Sequence, residues 1–184
     1  MAPKEYYELT QSALKPDGIV AQWIPLHSQS EEEVYLHFKT FLKVFPHAMA
    51  WMSVANEILI IGSKRPIKLD FQKLKKRLEE SDLRRAMADI EIHNIFSLLS
   101  CIWFFEEQID KLAAGRSIIT DNRPSIEFYL NFPNIIQIEG LEKIVFNRAS
   151  FEDIIRRIQN LSYENQKQLK IFQKKSINLI FQKF

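Results

Sequence analysis

The sequence predicts an α/β fold, an open sheet that ends in antiparallel edge strands and continues into a mostly helical C-terminal region. Three observations carry this. Ile19-Val20-Ala21-Gln22-Trp23-Ile24 is almost continuously apolar with β-branched members, the pattern of a strand buried on both faces, as in a parallel sheet. Two shorter apolar runs, 48–54 and 58–61, are separated by Ala55-Asn56-Glu57 and read as an antiparallel pair turning at Asn56. From Asp70 onward, apolar residues recur mainly at helical spacing.

Glu5 to Leu14 is expected to form a short helix with Tyr6, Leu9 and Ala13 on one side. Lys15-Pro16-Asp17-Gly18 stops it, because Pro and Gly together make a turn. Pro25 ends the strand that follows. Ser30-Glu31-Glu32-Glu33 is a capping box: the Ser hydroxyl takes an orphan N–H, Glu33 reaches back, and three acids face the positive end of the helix dipole. Val34, Phe38, Phe41, Leu42 and Phe45 then repeat at helical spacing, and Pro46 closes the element. Asp70 can cap a helix through about Leu78, with Phe71, Leu74 and Leu78 as its apolar stripe. Leu83 to Ala88 is a short polar helix, and Ile95 to Lys111 a long apolar one stopped near Gly115. Thr120-Asp121-Asn122-Arg123-Pro124 forms a turn before the alternating segment 126–130. Ser150 and Ser162 each open a packing helix, the first carrying Phe151, Ile154, Ile155, Ile158 and Leu161, the second Leu169, Phe172, Ile180 and Phe184.

The composition excludes several function classes. In 184 residues, 25 Lys+Arg face 23 Asp+Glu, a net charge of +2, so the chain is not polybasic and no nucleic-acid partner is expected. Lys73 to Arg77 with Arg84-Arg85 is a basic cluster, but Glu79, Glu80 and Asp82 interleave with it, which reads as a solvated helix face. With 14 Phe, 3 Trp and 5 Tyr, the chain has ample material for a core without a disulfide. Cys101 sits in an apolar stretch without a basic neighbour and reads as a buried thiol. Met-Ala-Pro-Lys-Glu-Tyr-Tyr has no secretory pattern, and the apolar stretch 92–105 falls short of the roughly 20 residues of a membrane helix, so a cytoplasmic protein without membrane attachment is expected. The four glycines stand alone at Gly18, Gly62, Gly115 and Gly140, which leaves neither a GxGxxG turn nor a Walker loop for a nucleotide. His27, His37, His47 and His93 lack metal-ligand spacing, and no metal site is expected. Glu106 and Glu107 are adjacent and point in different directions on a helix, which argues against a paired-carboxylate device.

Three local patterns occur in a fixed order: Glu5-Tyr6-Tyr7-Glu8-Leu9 running into Leu14-Lys15-Pro16-Asp17-Gly18-Ile19-Val20-Ala21-Gln22-Trp23, then Phe41-Leu42-Lys43-Val44-Phe45-Pro46-His47, then Thr120-Asp121-Asn122-Arg123-Pro124-Ser125-Ile126-Glu127-Phe128. Together they resemble the C-terminal half of spermidine synthase-like proteins, polyamine aminopropyltransferases whose longer bacterial relatives carry a TDDRP-x-LEF type segment. The resemblance covers roughly residues 5 to 133. It implies a class I methyltransferase-like, Rossmann-like sheet entered late, with Gly18 to Pro25 as strand five, Ser30 to Phe45 as the next helix, and the two short runs as the antiparallel strands that end the sheet. Residues 1–66 would then be the late half of that sheet, 67–148 the helical part of the same domain containing the Thr120 segment, and 149–184 C-terminal helices.

The family moves an aminopropyl group from decarboxylated S-adenosylmethionine to a polyamine. A neutral amine attacks a carbon beside a sulfonium, which requires carboxylates for the diamine's cationic end and a base for the attacking amine. The resemblance implies that the Gly-rich turn, the ribose-binding acid and the catalytic Asp belong to the half that is absent here. No catalytic or cofactor-binding residue is therefore expected in this chain, which would be inactive alone. Gln22 matches the family glutamine after a Val-Ala pair, and its amide can bond the amine. Asp121 and Glu127 are the candidate amine-site acids, against a reading in which Thr120, Asp121, Asn122, Arg123 and Pro124 merely build a turn and Arg123 pairs with Glu127. Two readings stand: part of an aminopropyltransferase completed by a homodimer partner or a separately encoded N-terminal half, or a non-catalytic binding or scaffold protein derived from this fold.

Overall fold

The computed structural model describes residues 2–26, 29–52, 57–123 and 143–182, with side chains through 177. Its elements begin with α1 (Lys4–Ala13), β1 (Ile19–Pro25), α2 (Glu31–Val44), β2 (His47–Trp51), β3 (Glu57–Ser63) and β4 (Leu69–Asp70). There follow α3 (Phe71–Leu78), α4 (Ser81–Ala88), α5 (Ile95–Ser100), β5 (Ile102–Phe105), α6 (Glu106–Leu112), α7 (Phe151–Arg157), β6 (Ile158–Gln159) and α8 (Tyr163–Gln182). The chain divides into two compact units, one built from 1–51, 56–67 and 104–148, the other from 52–55, 68–103 and 149–184.

The first unit holds a small antiparallel sheet whose order is β1-β3-β2-β5, with Phe104 and Phe105 of β5 inside this unit. β3 runs antiparallel to both β1 and β2, in a register that opposes Gln22 to Ile60, Trp23 to Leu59 and Ala48 to Gly62. Directly opposed residues share a face. One face therefore carries Val20, Gln22, Ile24, Ile58, Ile60, Gly62, Ala48 and Ala50. α2 lies against this face, where the small residues let it approach: a Cβ on Gly62 would stand 2.5 Å from Cε1 of Phe41 and 2.7 Å from Cβ of Phe45. Tyr7 brings α1 onto the same layer through edge contacts with Phe41 and Phe45. The opposite face carries Ile19, Ala21, Trp23, Leu59, Ile61, Met49 and Trp51; it is open on the β1 side, where Ile19 is 58%, Trp23 51% and Leu59 40% exposed, and closed at Met49.

The expectation of a β1 buried on both faces in a parallel sheet is thus corrected. β1 pairs antiparallel, stands at one end of the strand order, and leaves one apolar face largely open. An unbroken apolar run reports that both faces are apolar, not that both are covered. The expected antiparallel pairing of the two short runs is present as β2 and β3, while its turn at Asn56 lies outside the described residues. The capping box forms as expected, with Ser30 Oγ accepting from the Glu33 N–H at 3.3 Å and the Glu33 carboxylate accepting from the Ser30 N–H.

The single helix expected over Ile95 to Lys111 is a second correction. Asn94 caps α5 by accepting from the N–H groups of Phe96 and Ser97, and the chain then turns into β5 before resuming as α6. Ile102-Trp103-Phe104-Phe105 is a run of β-branched and aromatic residues, all buried, and burial on two sides overrides the helical spacing read through it. Gly115 takes a left-handed φ of 74° just past α6.

In the second unit Asp70 caps α3, its Oδ1 accepting from the Lys73 N–H at 3.0 Å while Oδ2 accepts from Asn160 Nδ2 at 2.9 Å. These donors, the Lys73 N–H foremost, hold its carboxyl below the usual range. The helix that Ser150 opens was expected to run past Ile158. It stops at Arg157, because Ile158 and Gln159 form β6, paired parallel with Leu69 and Asp70 of β4. Phe71, Phe96 and Phe172 stack in a row at centroid spacings of 5.7 Å and join α3, α5 and α8. Cys101 is buried as expected, its thiol bonded to the Ser97 carbonyl and pushed up to about 11 by burial.

α4 ends in a Schellman turn. The Ile92 N–H bonds the Met87 carbonyl at 2.9 Å, the Glu91 N–H bonds the Ala88 carbonyl at 3.0 Å, and Glu91 occupies the left-handed position at φ 61°. Glycine is the residue that position favours, since a Cβ there crowds the following carbonyl. Glu91→Gly is expected to raise stability by about 0.5–1 kcal/mol, read as a higher urea midpoint at unchanged slope; a lower midpoint would contradict this geometry.

Candidate functional site

Gln22 lies at the centre of β1 rather than toward its C-terminal end, opposite Ile60 and on the face that α2 covers. Its side chain is half-buried, and its amide nitrogen donates to the neighbouring Trp23 carbonyl at 2.8 Å. That bond is local, so the amide could exchange it for another acceptor without disturbing the strand ladder.

The Thr120 segment is held between α1 and α2. The Lys4 N–H bonds the Ile119 carbonyl at 2.9 Å, and the Ile119 N–H bonds Thr40 Oγ1 at 2.9 Å. The turn itself closes through the Arg123 N–H on the Thr120 carbonyl, and the Asp121 N–H donates to Glu5 Oε2 at 3.1 Å. Thr120, Asp121, Asn122 and Arg123 are thereby brought together in one turn, with Asp121, Asn122 and Arg123 exposed. Pro124 and Glu127 lie outside the described residues, as does the alternating segment 126–130. Among the described residues no hydrogen bond or ion pair joins Gln22 to the turn.

Among its described residues, the first unit buries His37, Tyr7 and Tyr35. His37 of α2 is 5% exposed, and neither ring nitrogen has a hydrogen-bond partner among the described residues. Burial pushes its pKa down to about 4, so the imidazole stays neutral. Burial likewise raises the Tyr7 and Tyr35 hydroxyls above their usual range. The Arg116 guanidinium stands 5.6 Å from the Tyr35 ring centroid and bonds Glu32 at 2.7 Å. Among the described residues no group of three or more His, Cys, Asp or Glu side chains is placed to hold a metal ion, and no helix is long and apolar enough to cross a membrane.

The sequence reading missed the open apolar face of Ile19, Trp23 and Leu59. Its signal is the alternation along β3, where Glu57 and Leu59 are exposed and Ile58 and Ile60 buried, but four of the five positions from Glu57 to Ile61 are apolar, which hides the period. Compared with known protein families, curated proteins and solved structures, the chain matches none.

Proposed function

We propose that this chain is the late part of a spermidine synthase-like, class I methyltransferase-like sheet, and that it takes part in aminopropyl transfer only with a partner that supplies the early strands. The observation that supports the reading best is the sheet itself. An antiparallel strand, β3, separates β1 from β2, and β1 ends the order beside an uncovered apolar face. This arrangement fits the end of an open α/β sheet, with a strand edge and one face left for further chain.

The chain's isolated glycines give no cradle for decarboxylated S-adenosylmethionine, so that co-substrate belongs to the partner in this reading. Gln22 would turn its amide from the Trp23 carbonyl to the polyamine nitrogen and orient it for attack. Asp121, exposed in its turn, and Glu127 would contribute negative charge toward the amine's cationic end. The partner is a second copy of the chain or a separately encoded N-terminal half. A second reading, a non-catalytic scaffold derived from the fold, is favoured by the Thr120 turn, in which the Asp121 N–H and the Thr120 carbonyl are spent on internal bonds.

The test is a titration with decarboxylated S-adenosylmethionine and putrescine, with the chain alone and after adding a candidate N-terminal half. Turnover on reconstitution, lost with Gln22→Ala, is expected, and it would sink the scaffold reading. A folded complex that binds neither ligand would sink the transferase reading. A monodisperse monomer whose β1 amides exchange slowly would remove the need for a partner.

A further inference from the structure

The second unit carries a cleft of about 420 Å³ lined by Ser81, Arg84, Arg85, Ala88 and His93. The first four stand at helical positions i, i+3, i+4 and i+7, with Ser81 and Ala88 along the middle of one face of α4 and Arg84 and Arg85 on its two sides, about 100° apart around the axis. The Schellman turn at Glu91 reverses the chain and sets His93 across from that face. The cleft is open to solvent, and all five of its lining residues are exposed, so it would take a small group at the surface rather than enclose a ligand.

Arginines elsewhere in this protein are engaged. Arg65, Arg77, Arg116 and Arg156 form ion pairs with Asp17, Glu80, Glu32 and Asp153, and Arg123, Arg148 and Arg157 have partners of their own. Arg84 and Arg85 are the exception: among the described residues neither meets a carboxylate within ion-pair distance, although Asp82 and Asp89 lie on or beside the same helix. Asp82 is instead approached by Ser81 Oγ at 3.5 Å. Two guanidinium forks, neither paired with a carboxylate, stand on the two sides of the cleft, with the His93 imidazole on its wall.

We propose that this cleft binds the phosphoryl group of a small phosphorylated ligand. Guanidinium matches phosphate geometry with two parallel N–H bonds, and charge-assisted bonds of this kind are the strong ones. Glu79, Glu80 and Asp82 lie just before the two arginines in sequence, and their negative charge weighs against an extended polyanion such as nucleic acid, which would have to pass close to them.

The proposal is tested by titrating the full chain with inorganic phosphate and inorganic pyrophosphate at low, matched ionic strength, following the arginine Nε–H resonances by NMR. Saturable binding is expected, tighter for pyrophosphate, with the Arg84 and Arg85 signals moving together. The double substitution Arg84→Gln/Arg85→Gln should weaken it about tenfold or more, Arg84→Lys/Arg85→Lys by less, and Arg65→Gln not at all. Because these side chains are exposed, unchanged melting of each variant separates lost binding from lost fold. Failure to saturate, equal affinity in the double variant, or preferential binding of an oligonucleotide over pyrophosphate would overturn it.

Discussion

Phe41→Ala is expected to lower the stability of the chain by about 3–5 kcal/mol. The side chain is fully buried, and its ring meets Tyr7 at a centroid distance of 5.2 Å and Phe45 at 5.0 Å. It is the hub through which α1 and α2 lie on the sheet. Gly62 is its counterpart: Gly62→Ala inserts a methyl where Phe41 Cε1 and Cζ stand 2.5 and 2.7 Å away, an overpacking that costs about 1–3 kcal/mol. The two effects are coupled. With the Phe41 ring removed, Gly62→Ala should cost clearly less, although Phe45 Cβ at 2.7 Å keeps part of the obstruction. Urea denaturation of the two single variants and the double closes this cycle, and strictly additive losses would mean that helix and strand do not meet as described.

Acidification from pH 7 to pH 4 is expected to remove about 3 kcal/mol through His37 alone. The folded protein holds the imidazole neutral down to about pH 4, whereas the unfolded chain takes up the proton near 6.5. Below 6.5 the unfolded state therefore binds more protons than the folded one, so the stability is complete above that pH and is lost as pH falls toward about 4. The carboxyls of Asp70 and Asp153, held below the usual carboxylate range, lose their contribution at still lower pH. Urea midpoints for the native chain and His37→Leu at several pH values between 7 and 4.5 isolate the effect. The variant should show the shallower dependence, and parallel curves would rule out His37 as its source.

Much of the fold is legible in the sequence wherever local chemistry decides it. Ser30, Asp70 and Ser150 announce helix starts, because a short polar side chain accepting an N–H three residues on needs no tertiary partner. Where long-range burial decides, the sequence misleads. Ile102 to Phe105 form a strand inside a helical-looking stretch, and Ile158 leaves its helix to pair with Leu69. Neither outcome is encoded within a few residues of the position concerned. Of the candidate site, Gln22 and the Thr120 turn could be placed on elements in advance. The open apolar face could not, since an apolar residue reads the same whether covered or not. The unpaired state of Arg84 and Arg85 was equally hidden, because the interleaved acids suggest partners that the geometry does not supply.

The division of the second unit among separated stretches sets the order in which the molecule can be built. Asp70 and Asn160, which bond across β4 and β6, are 90 residues apart in sequence, and α5 must wait for α8 to complete its packing. By contrast β2 and β3 are near in sequence, and the β1–β3 pairing spans 32 to 44 residues, so this sheet needs shorter closures than the Asp70–Asn160 contact and forms earlier. During synthesis the β1 edge and its apolar face are assembled before the last helices have been made. A nascent chain thus presents an exposed apolar face early, and a companion or chaperone that covers it would act while the chain is still being made.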